Sequence, residues 1–311
     1  MIQMGQHPPA SRVIAHLSDT HLLGEGRPLY GSVPVEDRLR VALERLEASS
    51  VAPDAVVFTG DLADVGEPDA YRRLRAAVEP VIRRMGAQLV WVMGNHDDRA
   101  AYSSLLLDEE PSDRPQDRVH DIAGLRVISL DTTVPGYHHG ELEPAQLEWL
   151  RGVLAEPAPL GSILALHHPP VPTPLEVMAV LELHRQDELA EVVRGTDVRA
   201  ILGGHLHYST HSTFAGIPVH VASATCYTLD LGADAGRLLS GVDGGQSFDL
   251  VHVYDEVVVS STVPLATHPE ATGFSSDYRP MIEGMDPDVR LEQLSSKSSH
   301  LNLNEAASSA G

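Results

Sequence analysis

The chain has 311 residues, 42% of them hydrophobic, with 22 basic against 44 acidic side chains and a net charge of −22. That balance opposes sequence-independent binding to a phosphate backbone and argues against nucleic acid as a partner. The single cysteine, Cys226, excludes an internal disulfide, and no apolar run approaches the ~18 residues that a span needs, so we expect a cytoplasmic protein without an integral membrane segment.

In chain order, residues 1–12 are polar, carry Pro8 and Pro9, lack the apolar core of a secretion signal and read as a flexible N-terminus. Residues 13–17 form a buried strand. Residues 35–48 repeat Leu39, Leu43 and Leu46 at a helical period, and 54–59 make the second strand. A helix over 71–85 should be distorted at Pro80, which lacks a backbone donor. Strand 89–93 and a helical piece over 100–107 follow. Strands 118–122 and 125–130 flank Ala123-Gly124, a hairpin signal. Helix 144–154, strand 162–166, helix 186–193 and strand 198–202 continue the alternation. Strands at 208–214, 219–222, 250–254 and 257–263 then follow without helices between them. Residues 232–246, rich in Gly and Asp, read as a loose stretch. From 267 the chain is rich in Ser, Glu, Asp and Pro and reads as a mostly disordered tail, so we divide the chain into 1–12, a single domain over 13–266, and 267–311. Few basic residues in the tail argue against a membrane-associating role.

Five short segments carry the chemistry: Asp19-Thr20-His21, Gly60-Asp61, Gly94-Asn95-His96-Asp97, His167-His168 and Gly204-His205-Leu206-His207. Singly, most have plain structural readings, Asp19 as a turn cap and Gly60-Asp61 or Gly94-Asn95 as turn signals. Two histidines two apart behind glycines are a stronger metal signal. Each segment follows an apolar, β-branched run, so all five belong at strand ends. A phosphodiester repels hydroxide, and two cations about 3.5–4 Å apart can bind its oxygens, supply the nucleophile and stabilise the leaving oxygen. Such a pair needs a bridging carboxylate with imidazoles and an amide oxygen outside it. If the segments are extended, residues at i and i+2 share a side. We therefore group Asp19, His21 and His207 on one ion and Asn95, His167 and His205 on the other, with Asp61 between them. His96, diverging from Asn95, is left to meet substrate.

The order D-x-H, G-D, G-N-H-D, H-H-P, G-H-x-H resembles the calcineurin-like metallophosphoesterase superfamily. Longer stretches, among them Phe58-Thr59-Gly60-Asp61-Leu62-Ala63-Asp64 and Val221-Ala222-Ser223-Ala224-Thr225-Cys226, are similar to the actinobacterial class III cyclic nucleotide phosphodiesterases. The resemblance runs from about 13 to 265. It implies an α/β fold, a four-layer α-β-β-α sandwich with two facing mixed sheets and a dinuclear metal site at the strand ends. It also implies a homodimer, and hydrolysis of 3',5'- or 2',3'-cyclic nucleotides, cAMP among them, to nucleoside monophosphates. Glycerophosphodiesters and other small esters are the alternative. Asn95 and His96 are the catalytic and substrate-binding candidates. His138 or His139, in a loop that reaches over the site in similar proteins, is a further substrate contact. The nitrogen and oxygen donors leave iron, manganese, zinc or cobalt open and disfavour copper(I), calcium and magnesium. Asp64 and Asp97 are placed to orient histidines from outside, His168 to do the same, His16 to hydrogen-bond inside the fold and Cys226 to be structural. A protein phosphatase would carry Asp-Arg-Gly and Gly-Asn-His-Glu where this chain has Leu62-Ala63-Asp64 and Asp97, and a non-enzymatic adaptor would have lost ligand positions that are filled here.

Overall fold

A computed structural model describes residues 3–299, which form two compact units, the larger over Ala10–Ala266. Its elements run β1 (Arg12–Leu17), α1 (Val35–Ala48), β2 (Ala55–Thr59), α2 (Pro68–Met85), β3 (Gln88–Val92), α3 (Arg99–Leu106), β4 (Arg118–Ile122), β5 (Leu125–Leu130), α4 (Pro144–Val153), β6 (Ser162–Leu166), α5 (Gln186–Val193), β7 (Val198–Gly203), β8 (Thr210–Phe214), β9 (Ile217–Val221), β10 (Thr228–Leu229), β11 (Gly241–Val242), β12 (Ser247–Val253) and β13 (Val258–Pro264).

Two mixed sheets result. One has the order β13-β12-β1-β2-β3 with β1, β2 and β3 parallel, and the other the order β4-β5-β6-β7-β9-β8 with β5, β6, β7 and β9 parallel. β2 (AVVFT) and β6 (SILAL) are buried along their whole length, which is why they read as unbroken apolar runs. Ile14, Val57 and Val90 of the first sheet meet Val127, Ile163 and Leu202 of the second in an apolar layer between the sheets. On the outer face of the first, Leu39, Leu43 and Leu46 of α1 and Tyr71, Leu74 and Val78 of α2 pack on Ala15, Leu17 and Phe58. On the outer face of the second, Leu147 and Leu150 of α4 and Leu189 and Val193 of α5 cover Leu164, Leu166 and Ile201. The layers are helix, sheet, sheet, helix, as expected. Truncating one of these fully buried leucines to alanine would cost about 2–5 kcal/mol.

Two expectations are corrected. α2 continues through Pro80 without a break and begins earlier than expected, with Pro68 in its first turn, where a missing donor costs nothing. The stretch 232–246 is not wholly loose, because β11 pairs antiparallel with β10 through Thr228↔Val242 and Leu229↔Gly241. The region from 267 has helical segments among the described residues. It carries α6 (Arg279–Gly284) and α7 (Pro287–Ser295). Asp286 caps α7 by accepting from Asp288 N, and Arg290 donates to Ile282 O and Met285 O, so local polar bonds stand in for the apolar core that composition lacks. Residues 300–311 lie outside the described residues. Among the described residues no helix is long and apolar enough to cross a membrane.

Candidate metal centre

β1, β2 and β3 end in one direction, as do β6 and β7, and their carboxyl ends deliver Asp19, Asp61, Asn95, His167 and His205 to one cleft. The backbone there differs from the extended geometry expected. Asp19, His21, Asp61, His205 and His207 have φ of 54°, 46°, 49°, 69° and 56°, in the left-handed region. Asp and His are among the residues that enter it most readily, and a left-handed residue turns a side chain that would follow the strand back into the cleft. Residues i and i+2 do converge, but through tight turns. Gly60, at φ 92°, is required by close approach: a Cβ there would lie 2.6 Å from His167 Nδ1 and 2.7 Å from Gly94 Cα.

Hydrogen bonds at the far side of three imidazoles set their tautomers. His167 Nδ1 donates to Thr59 O (2.7 Å), His207 Nδ1 to Tyr227 O (3.0 Å) and His21 Nδ1 to Asp64 Oδ1 (2.9 Å). Each therefore turns Nε2 inward. His167 Nε2 lies 3.3 Å from Asp61 Oδ2 and 3.1 Å from Asn95 Oδ1, while His21 Nε2 lies 3.4 Å from Asp61 Oδ2 and 3.2 Å from His207 Nε2. His207 Nε2 is 3.3 Å from Asp19 Oδ1. Asp61 Oδ2 thus stands between the two groups, while its Oδ1 accepts from His96 N (2.9 Å). Asp19 Oδ2 accepts from His205 N (3.1 Å), but Asp19 Oδ1 and His205 Nε2 are buried with no hydrogen-bond partner among the described residues.

Acceptors that face one another need protons or cations between them. Asp19 and Asp61 are 0% and 2% exposed and, among the described residues, have no Arg or Lys partner. Burial pushes Asp19 up, yet His207 outweighs it and holds the carboxyl at about 2. Asp61 is likewise held low against its burial by His167 and His21. Burial would lower His167, but Asp61 raises it to about 9, whereas burial and the neighbouring His167 take His205 down to about 3. The donor set fits a pair of transition ions: Asp19, His21 and His207 could hold one, Asn95, His167 and His205 the other, with Asp61 shared.

His96 and His138 line the mouth. His96 Nδ1 donates to Asp64 O (2.6 Å), with the Asp64 carboxylate 3.5 Å away. Asn95 Nδ2 donates to His138 Nδ1 (2.8 Å), which fixes Asn95 Oδ1 toward His167. His168 donates through Nε2 to His138 O (3.1 Å) and accepts from Thr132 Oγ1 (2.8 Å), so it positions the His138 loop rather than a metal-facing histidine. Of the two loop histidines, His138 faces the cleft. His139 stacks on His184 instead, with centroids 4.5 Å apart. His16 shares a hydrogen bond with Thr59 Oγ1 (2.9 Å), as expected.

Asp64 orients His21, but among the described residues the Asp97 carboxylate bonds to no histidine and that expectation is corrected. Its Oδ2 accepts from Gly94 N (2.9 Å) and Leu62 N (3.1 Å), and its Oδ1 from Ala63 N (3.0 Å) and Tyr71 Oη (2.9 Å). Tyr71 Oη in turn accepts from Asp98 N (2.9 Å). This pair clamps the loop carrying Asp61 to the loop carrying Asn95, and sequence reading missed Tyr71 because its helical period marks it only as core. Also missed were Met178, Leu181, Tyr227, Leu229 and Leu239, apolar walls of a cavity of about 220 Å³ that opens onto His21, Asp61 and Asn95.

Comparison with known proteins bears on the same residues. The calcineurin-like phosphoesterase family model matches residues 12–209. The chain is 59% identical over 264 residues, 85% of its length and 83% of the relative's, to a cAMP/cGMP dual specificity phosphodiesterase of Mycobacterium tuberculosis (strain CDC 1551 / Oshkosh). It is 55% identical over 267 residues, 86% of its length and 88% of the relative's, to a probable cyclic nucleotide phosphodiesterase of Rhodococcus erythropolis (strain PR4 / NBRC 100887). In fold it is similar to a purple acid phosphatase from yellow lupin (Lupinus luteus) seeds, with a TM-score of 0.57 at 14% identity over 82% of this chain and 51% of that one. The matched span contains β1 through β7 and with them Asp19, His21, Asp61, Asn95, His167, His205 and His207, so the chain is a metal-dependent hydrolase that belongs to the calcineurin-like phosphoesterase family.

Proposed function

We propose that this protein hydrolyses cyclic nucleotides, cAMP among them, to nucleoside monophosphates at a centre of two iron, manganese, zinc or cobalt ions held by Asp19, His21, His207, Asn95, His167 and His205 and bridged by Asp61. The observation that carries this is the convergence of three fixed Nε2 atoms and the Asn95 amide oxygen on two buried carboxylates that have no Arg or Lys partner among the described residues. When bound, the ions supply charge for the phosphoryl oxygens and for activation of water.

The chain's own groups do the rest. Asn95, held by His138, presents its amide at the phosphoryl position. His96 is tied through Nδ1 to Asp64 O, which leaves Nε2 at the mouth, where the imidazolium form would stabilise charge on the ester or protonate the departing alkoxide. Met178, Leu181, Tyr227, Leu229 and Leu239 offer an apolar wall to the organic part of the ester. The small cavity suits a compact diester, and the net charge of −22 disfavours a polymer. The 59% identity to a cAMP/cGMP phosphodiesterase supports cyclic nucleotides over glycerophosphodiesters. Competition of cAMP and cGMP against glycerophosphocholine on manganese-loaded protein, ranked by kcat/KM, tests this. A preference for the glycerophosphodiester would refute the cyclic nucleotide assignment. A cytoplasmic setting and a homodimer belong to the same reading, the latter checked by sedimentation equilibrium.

A further inference from the structure

Five groupings of three or more metal-ligating side chains occur among the described residues, and four of them share a residue with the centre above. The fifth is separate: His139, Glu141 and His184, whose donor atoms lie within 4.8 Å of one another. We propose that these three residues form a second, peripheral cation site, which takes a divalent ion of the zinc class.

The donor chemistry is two imidazoles and one carboxylate, the set that zinc accepts while keeping a position for water. Glu141 Oε1 lies 3.5 Å from His184 Nδ1 and 3.8 Å from His139 Nε2. A tetrahedral ion with bonds of about 2.0–2.1 Å needs donors about 3.3 Å apart, so closure asks for shifts of well under 1 Å at the carboxylate. The two rings lie nearly parallel, at 17°, so one must turn to aim its lone pair at a common ion. His184 is the ring free to do so, because its side chain is 44% exposed, as is that of Glu141. That exposure also gives an ion its entry path.

The backbone beneath is held by main-chain hydrogen bonds. Gly140 N donates to Glu182 O (3.1 Å), His184 N to Gly140 O (2.8 Å) and Glu141 N to Thr132 O (3.0 Å). Gly140 bridges Thr133 on one side and Leu183 on the other. Residue 140 must be glycine, since a Cβ would lie 2.6 Å from His168 Cγ. The three donors therefore come from two segments already pinned together, which lowers the ordering entropy of assembling the site. The alternative is a plain His–Glu ion pair, in which Glu141 shares its charge with whichever imidazole is protonated.

The two readings differ in zinc content. Full-length protein is loaded to saturation with manganese, then equilibrated with zinc chloride by dialysis and analysed for both metals, alongside Glu141→Gln, His184→Ala and the control His211→Ala. The result expected is one zinc more per chain in wild type and in His211→Ala than in either site variant. On zinc addition, the imidazole nitrogen resonances of His139 and His184 should shift together. Equal zinc content in wild type and both site variants, or zinc-dependent shifts confined to other histidines, would overturn the proposal and leave the ion pair. Because Glu141 and His184 are exposed, matching circular dichroism spectra are expected, and the histidine resonances decide the matter in wild type if a variant fails to fold.

Discussion

Replacing Tyr71 by phenylalanine removes one oxygen from the clamp between the Asp61 and Asn95 loops and leaves the ring in place. Tyr71 is 0% exposed, so water cannot replace the hydroxyl. Its donation to the Asp97 carboxylate is a hydrogen bond to a charged group, about 1.5–3 kcal/mol, and the Asp98 N–H it satisfies would be left unpaired at a cost of about 1–3 kcal/mol. Asp97 Oδ1 keeps Ala63 N, and the two contributions overlap, so we expect a loss of about 3 kcal/mol. Denaturant midpoints should be compared with chelator present, so that metal binding does not add to either curve. Metal affinity, measured separately, should fall about 10- to 100-fold, because Leu62, Ala63 and Gly94 set the positions of Asp61 and Asn95. A midpoint shift equivalent to less than 0.5 kcal/mol, with unchanged metal affinity, would refute the clamp.

His96→Ala should lower kcat at least about 100-fold with metal content unchanged, since His96 lines the mouth and is outside the proposed ligand set; equal turnover would remove it from the reaction. Gly94→Ala should abolish metal binding, because a Cβ would collide with Asp61 N and Oδ1; a variant that retains both ions would show that the loops can separate. Burial raises Asp117 to about 6, so the folded chain holds a proton there over a range in which the unfolded chain, at about 3.9, has released it. Stability from this group therefore falls as pH rises from about 4 to 6. Between pH 5 and 7 the loss is roughly 1 kcal/mol, and Asp117→Asn should flatten that part of the pH profile of the denaturant midpoint.

Much of the architecture is legible because buried parallel strands such as β2 and β6 must be apolar throughout, and helices such as α1 must show Leu39, Leu43 and Leu46 at a 3.6 period. The cleft residues were legible for the same reason, each following such a run. Their conformation was not. No local signal separates an extended Asp19 from one at φ 54°, because the left-handed turn is imposed by packing against the next loop, through bonds such as Asp19 N to Gly60 O (3.1 Å) and His21 N to Asp61 O (2.9 Å). Tyr71 and Asp97 stand 26 residues apart, and only the fold joins them. The same holds for the choice between His138 and His139, which depends on His168 and His184 from distant segments. The tail helices rest on Asp286 as a cap and on Arg290 bonding to carbonyls, while composition argued from the missing apolar core alone.

In the proposed centre, two ions share the carboxylate of Asp61. Anomalous diffraction from metal-loaded crystals, collected on both sides of the absorption edge, tests it most directly. Two peaks about 3.5–4 Å apart are expected, one within bonding distance of Asp19, His21 and His207, the other of Asn95, His167 and His205, with Asp61 between them. A single peak in fully active material, or peaks away from Asp61, would contradict it.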